Sequence, residues 1–268
     1  MSNYQVTAIP ALKDNYFWCL HQDNNALLID PGDATPCIEM LKKNQLTLNA
    51  VWITHHHQDH IGGITDLAQQ YKRPVYGPND DRISGIDHYL KQGDSVSWQS
   101  HQFSVVHCPG HTNSHVIFWN PTQRHLFCGD ILFSAGCGRV MEGEAADLFH
   151  SLQWIASLPQ DTKIFCAHEY TEANLGFALH LEPDNHALQQ RRHQVKELRA
   201  KFQATIPTYL ELELATNPFL RSHLPGIRQK LDEMAGHHHI ADALKKFQLN
   251  TEDEYYFAVM RLWKNIYV

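Results

Sequence analysis

Twenty histidines stand out among 268 residues, because imidazole titrates near neutral pH and is a common metal ligand. Four metal-competent side chains, His55, His57, Asp59 and His60, follow the apolar run Ala50-Val51-Trp52-Ile53 directly, in the pattern His-x-His-x-Asp-His. Packing has no use for such a run at a strand end, whereas imidazole and carboxylate together suit zinc, iron or manganese. In an extended segment His55, His57 and Asp59 share one parity and His60 takes the other, an arrangement that serves two neighbouring metals. Three more candidates lie just past the carboxyl ends of other apolar runs. His111 follows Val105-Val106-His107-Cys108-Pro109-Gly110, Asp130 follows Leu126-Phe127-Cys128-Gly129, and His168 follows Ile164-Phe165-Cys166-Ala167. In layered α/β folds that edge is where ligands bind.

The remaining histidines read differently. His56, between two candidate ligands, is expected to point away; His21, His88, His101, His125 and His150 have no partner pattern. His237-His238-His239, after Gly236, reads as a solvated loop ahead of a helix. Asp30 ends the run Leu27-Leu28-Ile29, and two roles stay open for it. It either accepts the second N–H of a ligand histidine or shapes the turn Asp30-Pro31-Gly32.

The elements that must position these residues are short apolar runs rich in β-branched and aromatic side chains: 26–29, 50–53, 103–106, 116–119, 126–128 and 164–166 read as strands. Between them, Ile64 to Tyr71 and Ala145 to Leu158 have helical patterns, the second stopped by Pro159. From about residue 172 the pattern turns helical. Leu188, Val195, Leu198 and Phe202 make an apolar stripe, and 227–234, 240–247 and 252–266 follow as further helices. The expectation is an α/β domain over residues 1–170 and a smaller α-helical domain over 171–268.

Composition sets the outer bounds. With 43% apolar and 19% charged residues the chain reads as an ordinary globular protein, and its formal charge of −7 disfavours a broad nucleic-acid or anionic-membrane footprint. The basic residues Arg191, Arg192, Lys196, Arg199 and Lys201 interleave with helical apolar positions and read as a solvated helix face. No stretch approaches the roughly 20 apolar residues of a membrane span. Six widely spaced cysteines without a signal peptide read as reduced thiols in a cytoplasmic protein.

With Thr54 to His60, Gly110-His111-Thr112, Gly129-Asp130 and His168 in this order, the chain resembles the metallo-β-lactamase superfamily over its first 170 or so residues. The resemblance implies a four-layer αβ/βα sandwich. It implies that His55, His57 and His111 hold one metal, that Asp59, His60 and His168 hold another, and that Asp130 bridges them. Gly136-Cys137-Gly138-Arg139, His168-Glu169-Tyr170-Thr171, Thr216 to Arg221 and Arg261-Leu262-Trp263-Lys264 are similar to the glyoxalase II, or hydroxyacylglutathione hydrolase, family. That similarity implies a helical C-terminal domain completing a glutathione site. Arg261 and Lys264, three apart on a predicted helix, then grip a carboxylate, with Arg139 as another cation and Tyr170 beside the thioester or peptide part. Two departures from the family pattern stand out: Met141 where many relatives have tyrosine, and Ala167 where glycine often precedes the histidine.

The implied activity is hydrolysis of S-D-lactoylglutathione by two divalent ions, zinc first and iron or manganese as alternatives. A bridging water of lowered pKa attacks the thioester. Asp59 both ligates and orients that water. The partner is then a small glutathione thioester, with neither nucleic acid nor membrane, and the chain is expected to be a monomer. Two rivals remain: an iron persulfide dioxygenase on the same scaffold, which consumes oxygen, and a metal-binding module without catalysis.

Overall fold

In the computed structural model, which describes residues 3–267, the apolar runs of the first half are strands. The chain divides into two units: Met1–Cys108 with Ser114–Gly129 and Phe165–His168, and Pro109–Asn113 with Asp130–Ile164 and Glu169–Val268.

The first unit opens with β1 (Gln5–Ala11), β2 (Asn15–Gln22) and β3 (Asn25–Ile29), paired antiparallel. After α1 (Ala34–Lys43) comes β4 (Thr47–Trp52), then α2 (Gln58–Ile61), α3 (Ile64–Tyr71), β5 (Val75–Pro78) and β6 (His88–Leu90). From β3 to β6 the pairing is parallel; helices cross over between β3 and β4 and between β4 and β5, and β3 and most of β4 are buried. That explains why Leu27-Leu28-Ile29 and Ala50-Val51-Trp52 are unbroken apolar runs. Cys37 and Leu41 of α1 and Ile64 and Leu67 of α3 pack with Phe17, Cys19 and Leu28 of the sheet.

A second, antiparallel sheet follows: β7 (Ser95–Trp98), β8 (His101–His107), β9 (Val116–Asn120) and β10 (His125–Gly129). Aromatic rings fill the space between the two sheets. Trp52 lies with its ring centroid 4.9 Å from both Phe103 and Phe118, and all three side chains are fully buried. Truncating Trp52 to alanine would cost about 3–5 kcal/mol.

The second unit holds a small hairpin, β11 (Leu132–Phe133) with β12 (Gly136–Cys137), and α4 (Ala145–Ala156), closed by a capping box of Glu144 and Asp147. β13 (Lys163–Cys166) runs from this unit into the first, where the indole of Trp18 donates to the Cys166 carbonyl at 3.1 Å. Its first residues pair with β14 (Thr208–Tyr209). The rest is helical: α5 (Thr171–Leu181), α6 (His186–Ala200), α7 (Leu210–Thr216), α8 (Pro225–Ala235), α9 (His238–Leu244) and α10 (Glu252–Ile266). A second capping box, Thr251 with Glu254, starts α10, whose Phe257 meets Phe149 and Phe219 at centroid distances of 5.6 and 5.9 Å.

The α/β class and the helical C-terminal region are therefore present as expected. Three local readings change. The stripe of α6 stops before Phe202, which takes a left-handed φ of 55° beyond the helix end and is 92% exposed. Arg191 is not on a solvated face: it turns inward, and its Nη2 donates to the Thr205 carbonyl at 2.8 Å. His238 and His239 are not in a loop but form the exposed first turn of α9. All six cysteines are buried thiols. Among the described residues no helix is long and apolar enough to cross a membrane.

Candidate active site

Five of the seven candidate ligands lie in the first unit. Thr54 leaves β4 and is pinned on both sides: its N–H and its hydroxyl donate to the two oxygens of Asp30, each at 2.7 Å, and its carbonyl accepts from Val116 at 2.9 Å. Asp30 is 3% exposed and its φ is 52°, so both roles left open for it apply: it shapes the turn, and its Oδ2 lies 3.1 Å from Nδ1 of His60. Extended backbone carries the chain only to His57, which caps α2. Asp59 and His60 thus project from a single helical turn, not from the extended alternation the parity argument assumed. The turn forms because the His60 and Ile61 N–H groups both find the His57 carbonyl, at 2.9 and 3.2 Å.

The result is a tight group. Ligand atoms of Asp59, His60 and His168 all lie within 4.8 Å of one another. Nε2 of His55 lies 3.1 Å from Nδ1 of His57, and the His55 and His60 rings are 4.0 Å apart. Gly129, just before Asp130, takes a φ of 48°, and a Cβ there would lie 2.5 Å from the Thr54 hydroxyl; a side chain would push the pinned strand end aside.

In the second unit, Nε2 of His111 lies 3.4 Å from Oδ2 of Asp130, and both residues are buried. Gly110 delivers His111. With a φ of 126° and a virtual Cβ 2.4 Å from the Leu148 nitrogen, that position accepts only glycine.

The partners of the histidines fix which nitrogen carries the hydrogen. The Arg139 carbonyl can only accept, so His111 Nδ1, 2.9 Å away, carries the hydrogen. Asp14 does the same for His168 at 2.8 Å, and Asp30 faces His60. The Thr54 hydroxyl donates to Asp30 and hence accepts from His55 Nδ1 at 3.0 Å. In the rings of His55, His111 and His168 the hydrogen therefore sits on Nδ1 and Nε2 keeps its lone pair, as a metal-ligating imidazole requires. Asn15 donates to Asp59 Oδ2 at 2.9 Å and leaves Oδ1 out of that bond. Four imidazoles and one carboxylate in the first unit, and His111 with Asp130 in the second, are donors of the kind that divalent metal ions take.

Asp14 and Asn15 escaped the sequence reading, as did His115, which is fully buried and stacks on His55 with centroids 4.7 Å apart. Asp14 lies 154 residues from its partner, so only the bridge between Asn15 and His168 reveals it.

The expected substrate residues all belong to the second unit. Arg261 is 5% exposed and donates through Nη1 to the Cys137 carbonyl at 2.9 Å, and through Nη2 to Asn265 at 3.1 Å. Its guanidinium therefore holds the segment that leads into Arg139. Lys264 is half-buried and Arg139 exposed. Burial and then the neighbouring Arg261 and Arg139 charges push the Lys264 pKa down. Tyr170 precedes α5, exposed, its ring edge-on to Phe133 with centroids 5.2 Å apart. Beneath the hairpin, Asn217 donates to the carbonyls of Phe133 and Gly136 at 3.1 and 2.9 Å and to Glu213 at 3.0 Å. Glu213 is fully buried, which raises its pKa, and it also takes the Ala135 N–H at 2.8 Å. The Thr216-Asn217-Pro218 motif is thus a support for the hairpin.

Residues 15–168 match the family model of the metallo-beta-lactamase superfamily. The fold agrees: BLEG-1 B3 metallo-beta-lactamase superposes with a TM-score of 0.62 at 26% identity, covering 81% of this chain and 99% of that one. ETHE1 from Myxococcus xanthus, at 23% identity, shares the fold with a TM-score of 0.57, covering 83% of this chain and 100% of that one. A member of this superfamily with grouped His and Asp ligands points to a binuclear metal site. Residues 169–267 match a second model, the hydroxyacylglutathione hydrolase C-terminus. Hydroxyacylglutathione hydrolase of Aliivibrio fischeri is 44% identical over 97% of this chain and 98% of its own length, and that of Xanthomonas campestris is 43% identical over 98% and 99%. The chain belongs to the hydroxyacylglutathione hydrolase family.

Proposed function

We propose that the chain is a binuclear metal-dependent thioesterase that hydrolyses S-(2-hydroxyacyl)glutathione, with S-D-lactoylglutathione as substrate, to D-lactate and glutathione. This is the second step of methylglyoxal detoxification. The observation that carries the reading is the match of both halves of one chain, catalytic and C-terminal, to relatives of that name at 44% identity.

His55, His57 and His111 would hold one ion, Asp59, His60 and His168 the other, and Asp130 would bridge; zinc suits the donors best, iron or manganese also. When bound, the ions supply Lewis acidity and a water acidic enough to attack near neutral pH. Asp59, with one oxygen tied to Asn15, orients that water. Arg139 and Lys264 take a carboxylate of glutathione, and Arg261 sets the backbone of Cys137 and Gly138 that leads into Arg139. Tyr170 lines the thiol-ester or peptide part. The leaving thiol has a pKa of about 8.5, so its thiolate departs with little help from a general acid. We place the chain in the cytoplasm, as a monomer whose partner is this small molecule and neither nucleic acid nor membrane.

The test is release of free thiol from S-D-lactoylglutathione, with and without a chelator. Turnover that the chelator abolishes supports the reading. Oxygen uptake on glutathione persulfide with one iron per chain, or metal binding with no turnover of either substrate, overturns it.

A further inference from the structure

His56 has no role in the reading above, although it stands between His55 and His57. Its Nδ1 lies 3.5 Å from Oδ2 of Asp80, which follows β5 and is 8% exposed. The same oxygen accepts from Ser114 Oγ at 2.5 Å and from Arg82 Nη2 at 2.7 Å. Oδ1 takes the Arg82 Nε and N–H at 2.8 and 3.0 Å. Ser114 comes three residues after His111, in the segment between β8 and β9.

A loop aspartate often does no more than shape its own turn, and the bond from Arg82 N–H to Oδ1 is of that kind. Oδ2 is turned elsewhere. It accepts from Ser114, 34 residues away in sequence, and faces Nδ1 of His56, 24 residues away, at 3.5 Å. The arginine fork fixes the plane of the carboxylate, so Ser114 and His56 meet an oxygen that cannot swing away.

We propose that Asp80 is a positioning residue for the metal site: it holds Ser114, three residues after His111 in sequence, and backs His56, which stands between His55 and His57. The inference rests on the ligand assignment proposed above. Loosening this tie disturbs the three imidazoles assigned to one ion and leaves Asp59, His60 and His168 with their own partners, Asn15, Asp30 and Asp14.

The experiment is chelator competition on the full chain loaded with zinc, comparing wild type with Asp80→Ala, Asp80→Asn and Ser114→Ala. Melting temperatures of the metal-free proteins serve as control. The expected result is that Asp80→Ala weakens one of two zinc ions about 10–100-fold and leaves the other at wild-type affinity. Asp80→Asn and Ser114→Ala shift the same ion by less. kcat falls while KM is kept, because Arg139, Lys264 and Tyr170 are untouched. If Asp80→Ala does not fold, Asp80→Asn carries the test. Two zinc ions at wild-type affinity in Asp80→Asn and Ser114→Ala, or equal weakening of both ions, would overturn the proposal. A wild-type chain that binds two ions but leaves the thioester intact overturns the proposed function instead, and the zinc titrations still decide the role of Asp80.

Discussion

Of the candidate ligands, His55, His60, His111 and His168 each have Nδ1 within 3.1 Å of an oxygen, whereas the ammonium of Lys264 has one carbonyl, that of Ala173, at 3.5 Å. The two regions meet different demands. A metal needs several lone pairs aimed at one point before it arrives, and each misaimed ring weakens every bond, so each ring is held from behind. A substrate carboxylate needs a charge still in want of a partner. Burial and the like charges of Arg261 and Arg139 depress the Lys264 pKa, a cost that an anion arriving there would relieve. Arg261 belongs to the second region by sequence and to the first by design, because its guanidinium is already committed to the Cys137 carbonyl.

The contrast can be broken in several places. The largest effect is expected from Asp130→Ala, which should lower metal content and reduce thioester turnover about a thousandfold together; normal turnover would remove Asp130 from the site. Next comes Asp30→Ala, which removes the carboxylate facing His60 and leaves the Thr54 N–H and the hydroxyl's hydrogen without their acceptor. Metal affinity should fall about 10–100-fold, and the melting curve should show a loss of about 2–3 kcal/mol.

Arg261 and Lys264 sharpen the comparison because they lie three residues apart on α10. Arg261→Ala should destabilise the protein by about 2–3 kcal/mol, as its carbonyl acceptors lose a charged donor. Lys264→Ala should leave stability nearly unchanged and raise KM about tenfold with kcat kept, which steady-state kinetics and a melting curve would separate. The smallest effect concerns pH. With its pKa depressed, Lys264 loses its charge at lower pH than an ordinary lysine at about 10.4, so KM should begin to rise before that value and the rise should vanish in Lys264→Ala.

The same contrast governs what could be read from the sequence. His55, His57, Asp59 and His60 are neighbours, and Gly110-His111 and Gly129-Asp130 follow strands, so the chemistry was visible as a pattern. The runs at 26–29 and 50–53 were legible because buried parallel strands are apolar throughout, and those at 116–119 and 126–128 because β9 and β10 are buried along their length although antiparallel. The residues that aim the ligands were not visible: Asp14 serves His168 across 154 positions and Asn15 serves Asp59 across 44. Neither has a local signature, since any aspartate after a strand looks like a turn. Parity misjudged Asp59 and His60 because the helical turn at Gln58–Ile61 is set by backbone bonds to His57, which period-two reasoning does not see. The sequence paired Arg261 with Lys264 as cations for a carboxylate and could not show the burial of Arg261, because helical spacing tells which residues share a face, not which way the face turns.

Two ions held by one prepared set of donors is the central claim, and returning metal stepwise to chelated protein tests it most directly. Turnover of S-D-lactoylglutathione, read against metal added per chain, should rise and level off at two equivalents. Full turnover at one equivalent, or in the metal-free chain, would contradict it.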